Sequence, residues 1–97
     1  MHAVVRTYTG AGAKELFDIL EKSKAEVEKT LSGVKGFVSY TLARTSDGGG
    51  FSVTVCKDKA GVDESVQVAR DWISKNASNA KVGAPTVTDG SVIIHAT

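Results

Sequence analysis

Between Gly36 and Lys57 the chain reads GFVSYTLARTSDGGGFSVTVCK, with apolar and polar positions alternating on either side of a glycine run. Phe37, Val38, Tyr40, Thr41 and Leu42 precede the Ser-Asp-Gly-Gly-Gly break, and Phe51, Val53, Thr54 and Val55 follow it. Strand-favouring runs around such a break predict a β-hairpin. In its first strand, Phe37 to about Thr45, the residues Val38, Tyr40, Leu42 and Arg44 share one face and Phe37, Ser39, Thr41 and Ala43 the other. The second strand, Phe51 to Lys57, sets Phe51, Val53 and Val55 against Ser52, Thr54 and Cys56; the first three are predicted to face the core.

The same two-residue period runs through His2 to Tyr8, where Ala3, Val5 and Thr7 oppose Val4, Arg6 and Tyr8. It predicts a strand in which Arg6 marks the face that is not purely core. Thr9-Gly10-Ala11-Gly12 breaks that strand. From Ala13 the period becomes helical: Ala13, Leu16, Phe17, Leu20, Val27 and Leu31 fall in one stripe that ends at Ser32-Gly33, which predicts one helix. Lys24 falls on that stripe and has two readings: a stem along the core with its ammonium in water, or a charge at the rim of a cleft. Asp58 caps a second helix, with Val62, Val66, Ala69 and Ile73 as its stripe and Lys75 near its negative end. Val68 and Trp72 make a second apolar flank, expected to pack against another subunit. Asn76 to Ala84 reads as a polar loop. Pro85 then opens an extended segment, with Asp89-Gly90 as a turn or bulge before a strand at Val92 to His95.

The order is β-α-β-β-α-β. Two helices are too few to cover both faces of a four-stranded antiparallel sheet, so both are placed on one face of an α+β, ferredoxin-like domain spanning residues 1–97. The other face then meets solvent or a second copy. Twelve Lys and Arg against eleven Asp and Glu leave a formal charge of +1, too little field for nucleic acid or an anionic membrane. The apolar runs are far short of a membrane span and the N-terminus lacks a secretory pattern, so a cytoplasmic location is expected. A lone Cys56 with no Cys or His beside it makes neither an internal disulfide nor the start of a zinc site.

The βαββαβ order, the Gly36-Phe37-Val38-Ser39-Tyr40 strand opening, the Arg44-Thr45-Ser46-Asp47-Gly48-Gly49 tip and the helix after Asp58 together resemble the dimeric α+β barrel proteins. The closest likeness is to their antibiotic-biosynthesis-monooxygenase-like branch, and it spans nearly the whole chain. The resemblance implies a homodimer in which two exposed sheet faces close into a barrel, with a ligand cleft in each subunit between sheet and helices. That superfamily includes cofactor-independent quinol oxygenases, haem-degrading enzymes, lactone isomerases and members with no assigned activity. On that footing the pocket residues are Phe17, Leu20, Lys24 and Trp72. The ligand is a small aromatic or quinol-type compound, activated as a phenolate or enolate that reduces oxygen without metal or flavin. Tyr40, Arg6 and a histidine, His95, are its polar partners. The competing expectations are a non-catalytic dimeric stress-response or small-ligand-binding module and a haem-binding protein.

The residues themselves carry further candidates. Arg6 with Tyr8, and Tyr40 with Arg44, share strand faces; an arginine beside a phenol suits a carboxylate, enolate or quinol oxygen, and suits a subunit bridge equally well. His2 and His95 are the only imidazoles, both near chain ends, and read as edge-strand residues, proton-transfer groups or axial haem ligands. Cys56 reads as a small buried residue unless a neighbouring cation activates its thiol. Gly10-Ala11-Gly12-Ala13-Lys14 lacks the third glycine of a dinucleotide fingerprint and the Gly-Lys-Ser/Thr ending of a Walker motif, which favours a plain strand-to-helix turn.

Overall fold

The N-terminal alternation becomes β1 (His2–Tyr8), and the hairpin becomes β2 (Phe37–Arg44) and β3 (Gly50–Cys56), each boundary within one residue of the sequence reading. A computed structural model describes residues 1–97. Helices α1 (Ala13–Lys22) and α2 (Lys24–Ser32) follow β1, and α3 (Lys59–Asn76) follows β3. One 3-10 turn at Ser78–Ala80 leads to β4 (Thr86–Ser91). The strands pair antiparallel in the order β2-β3-β1-β4, the ferredoxin-like α+β arrangement expected from the element order. No helix is long and apolar enough to cross a membrane.

The expected first helix is two helices. Ser23 leaves helical geometry at φ −109° and ψ 26°, and its N–H is shared between the carbonyls of Ile19 and Leu20 at 3.1 Å each. Ser23 and Lys24 occupy the turn where the apolar stripe is empty, between Leu20 and Val27, so packing does not hold that turn straight. The misfit at Lys24 thus marks the kink.

All helices sit on one face of the sheet, but that face is the opposite of the one expected on β3. The register aligns Val4 with Thr54 and Tyr40, and Arg6 with Ser52 and Leu42, and these rows lie beneath the helices. Ser52, Thr54 and Cys56 are buried, whereas Phe51 and Val53 lie on the open side in rows with Ala43, Thr7, Thr41 and Val5. Small side chains point inward because the helices come too close for large ones. Phe17 lies directly on Gly50, and Gly61 at the start of α3 lies on Cys56, where an added Cβ would stand 2.7 Å from the Cys56 Cβ and 2.6 Å from the Lys35 carbonyl oxygen.

The core divides accordingly. Tyr8, Leu16, Phe17, Leu20, Val27, Leu31 and Trp72 form its main cluster, and Val4, Val34, Cys56 and Val62 a second one under the N-terminal half of α3. Arg6, assigned from sequence to a face that is not purely core, is in the core at 3% exposure. β4 also departs from expectation. It runs straight through Asp89 and Gly90, paired with Val4 and Ala3, and ends where a Val92–His95 strand was expected. Val92 still donates to the Met1 carbonyl at 3.0 Å, but Ile93 and Ile94 are 94% and 83% exposed.

Asp58 caps α3 as expected, its carboxylate accepting from the Gly61 N–H at 3.1 Å. Gly61→Ala tests the close approach at this point. Alanine is favoured over glycine in a helix by at most about 1 kcal/mol, whereas forcing a methyl against a backbone carbonyl costs about 1–3 kcal/mol. The variant is expected to lose up to about 3 kcal/mol net in urea denaturation, and a gain in stability would refute the packing described here.

Candidate functional site

Three spaces line up along the helical side of the sheet. The largest is a cleft of about 890 Å³ between the edge strand β2 and helices α1 and α2, with Phe17, Leu20, Lys24, Phe37, Tyr40 and Leu42 among its lining. Behind Tyr40 lies a void of about 20 Å³, bounded by Arg6, Tyr8, Leu20, Tyr40, Ser52 and Trp72 among others. Beyond Arg6 a groove of about 320 Å³ opens between α3 and the segment leading to β4. Tyr40 belongs to the first two spaces and Arg6 to the last two, so the pair stands between the cleft and the groove.

The β1 and β2 periods put these groups there. Arg6 and Tyr8 are two apart on β1 and point the same way, and the Arg6 Nη1 donates to the Tyr8 hydroxyl at 3.1 Å. Tyr40 reaches the same layer from β2, two strands away. Burial pushes the Tyr40 phenol above its ordinary value of 10.0, and the neighbouring Arg6 charge pulls it part of the way back. Tyr40 is therefore a neutral hydrogen-bond donor through the physiological range. Its partner Arg6 is unusual: the guanidinium forms no ion pair, and its Nε has no hydrogen-bond partner. Ser52 Oγ, on the same small void, is likewise unpartnered.

Of the expected pocket residues, Phe17, Leu20 and Lys24 do line the cleft. The kink at Ser23 leaves Lys24 exposed, so the rim-of-cleft reading of Lys24 fits the structure. Trp72 does not line the cleft. It is 8% exposed in the main core cluster, bounds the small void, and donates from its indole to Glu26 at 3.1 Å. Val68 packs on the second core cluster, so the flank expected to meet another subunit is used inside this one.

Arg44 shares a face with Tyr40 but serves as a clamp. Its guanidinium donates to Asp18 at 2.6 Å, Glu21 at 3.1 Å and the Lys14 carbonyl at 3.0 Å, tying the hairpin to α1 at the cleft mouth. That contact holds the Asp18 carboxyl below the usual carboxylate range. Sequence reasoning grouped Arg44 with the phenols; only the fold shows that acidic residues on α1 claim it first.

The histidines lie elsewhere. His2 contacts Asp89 at 3.3 Å across the β1–β4 edge, and this together with Lys59 lowers the Asp89 pKa. His95, expected as a polar partner of the ligand, lies in the segment after β4 and lines none of the three spaces. Neither imidazole is placed to ligate a haem iron in the cleft. Cys56 is fully buried, and burial pushes its thiol pKa up, with Asp58 and Glu64 adding to the effect. The expected glycine turn is a turn: Gly10 and Gly12 take φ of +81° and +84°, and Gly12 packs on the Ala80 carbonyl.

No protein-family model and no curated protein sequence matches the chain. Solved structures match its fold over nearly its full length. A protein of unknown function from Nitrosomonas europaea superposes with a TM-score of 0.70 at 13% identity, covering 99% of this chain and 91% of that one. A dimeric ferredoxin-like protein from an uncultured marine organism gives 0.63 at 13% identity, with 99% and 95% covered. SnoaB, a cofactor-independent oxygenase from Streptomyces nogalater, gives 0.57 at 18% identity, with 97% and 92% covered. The likeness establishes the fold, which is the one the sequence resemblance implied.

The Tyr40 phenol offers a direct check on the buried layer. Its pKa is raised in the folded state, so its contribution to stability is present below pH about 10 and is lost as pH climbs through the folded value. Ultraviolet titration of the native protein is expected to show a phenol ionising later than a free tyrosine, and Tyr40→Phe to remove that step. A native spectrum with both tyrosines titrating as free phenols would contradict this placement.

Proposed function

We propose that the chain is a cytoplasmic, single-domain homodimer that binds a small aromatic or quinol-type compound in the β2 cleft and oxidises it with molecular oxygen, without metal or flavin. The observation that carries this reading is Tyr40: a neutral phenol presented to an apolar cleft of about 890 Å³, with a buried cation directly behind it. A phenol so backed donates a strong hydrogen bond to an oxygen that gains negative charge. Phe17, Phe37 and Leu42 supply apolar walls, and Lys24 and Glu28 stand among the polar groups of the lining. In this reading the bound phenolate or enolate passes one electron to oxygen, the radical and superoxide combine as a peroxide anion, and a proton from water converts that to a hydroperoxide. Loss of water then leaves a quinone-type carbonyl. Tyr40 stabilises the anion, and Arg6 acts through Tyr40. The fold shared with a cofactor-independent oxygenase is in keeping with it.

A second reading, ligand binding without turnover, is favoured by one observation. Neither histidine lines the cleft, so no imidazole stands ready to take the proton whose loss activates the ligand. Oxygen consumption with a panel of quinols and anthrones separates the two. The oxygenase reading expects uptake above the uncatalysed rate and a loss of about 100-fold in Tyr40→Phe. Binding of the same compounds with no uptake would favour the second.

The homodimer is proposed through the open sheet face. Ala3, Val5, Phe51 and Val53 form a half-buried apolar surface there with no helix over it, and Ile93 and Ile94 protrude from the end of β4. A symmetric pair would cover both features. Light scattering at micromolar concentration is expected to give twice 10.1 kDa, and Val53→Lys to give the monomer mass. A wild-type monomer would overturn the assembly.

A further inference from the structure

Arg6 lines both the small void behind Tyr40 and the groove on the α3 side. A guanidinium at 3% exposure with no carboxylate in contact is a costly arrangement, because a buried cation normally finds a fixed counter-charge. One nitrogen donates to the Tyr8 hydroxyl, the Tyr40 phenol stands beside the guanidinium, and Nε is left without a partner. The only large space that Arg6 lines is the groove on the α3 side, about 320 Å³, which is of the size that holds a small organic ligand.

The groove has a consistent chemistry. Arg70 stands on its α3 wall, exposed and in no ion pair, so a second positive charge faces the same space. No acidic residue lines it. Val66, Ile73, Val82 and Pro85 make the remaining walls mostly apolar. A planar guanidinium at the inner end, an exposed one on the wall and apolar walls between them match an organic acid: a carboxylate accepts from Arg6, and its hydrocarbon part fills the groove. A fully hydrated inorganic anion would leave the apolar walls without a partner.

We propose that this groove is a second ligand site, separate from the β2 cleft, for a small carboxylic acid with an apolar body. Arg6 binds the carboxylate at the inner end and Arg70 draws it in. The site does not depend on oxygen chemistry, so it stands or falls apart from the oxygenase reading.

Titration of the 15N-labelled full chain with 3-phenylpropionate and with its carboxamide, followed by two-dimensional NMR, tests it. Saturable shifts at Val66, Arg70, Ser74 and Gly83 are expected for the acid, with the amide at least about tenfold weaker. Arg70→Gln, an exposed change on a helix, is expected to weaken the acid by about fivefold. Arg6→Met, which keeps the volume and removes the charge, is expected to abolish the preference for acid over amide. Where that variant does not fold, the Arg70→Gln series and the acid–amide comparison still decide the matter. Shifts centred on Lys24 and on Leu42 to Arg44 would assign the acid to the cleft instead and overturn the proposal. Equal affinity for acid and amide, or no saturation by about 10 mM, would overturn it as well.

Discussion

Phe17 lies on Gly50 and Gly61 lies on Cys56, so two helices meet the sheet where almost no side chain holds them off. Everything inward of the strands follows from that spacing. A face carrying Phe51, Val53 and Val55 would not fit under helices at this distance, and the face carrying Ser52, Thr54 and Cys56 does. The more apolar side of β3 is consequently turned outward. Hydrophobic burial within the subunit is thereby given up on one side of the sheet, and a surface suited to association is left there in its place.

The same spacing explains why the polar cluster is buried. On β1 the inward face is Val4, Arg6 and Tyr8, and once the helices close over it the arginine is left 3% exposed, at the inner end of the α3 groove. Ser52 and Thr54 lose their hydroxyl partners in the same step. Buried polar groups without partners cost stability, and two of them, Arg6 Nε and Ser52 Oγ, belong to residues that bound one small void. Two spaces of different character reach that place from opposite edges of the sheet. The β2 cleft meets the phenol of Tyr40, and the α3 groove meets the guanidinium.

Much of this was legible in the chain. Strand periods placed β1, β2 and β3 within a residue, Asp58 was recognisable as a cap, and Lys24 stood out as a misfit on its stripe. The misfit proved informative in an unforeseen way, since the turn that contains it is where the helix breaks. Trp72 was misassigned because a tryptophan beside a helical stripe looks like a spare apolar flank. Its indole N–H finds Glu26 on another helix, 46 residues away in sequence, and no local pattern shows that pairing. Arg44 was grouped with Tyr40 by strand parity, correctly as to face, yet Asp18 and Glu21 reach it first.

By itself the sequence determined β1, β2, β3, the helix after Asp58 and the alternation that puts Arg6 with Tyr8 and Tyr40 with Leu42, because periods of 2 and 3.6 are properties of the local backbone, while the break at Ser23 and the place of β4 came only with the fold. The tertiary structure alone decided which of two opposed faces turned inward, which charges met a partner and which did not. Those outcomes depend on how closely elements distant in the chain approach one another, and the fit of Gly61 on Cys56 or Phe17 on Gly50 exists only once the strands and helices are brought together.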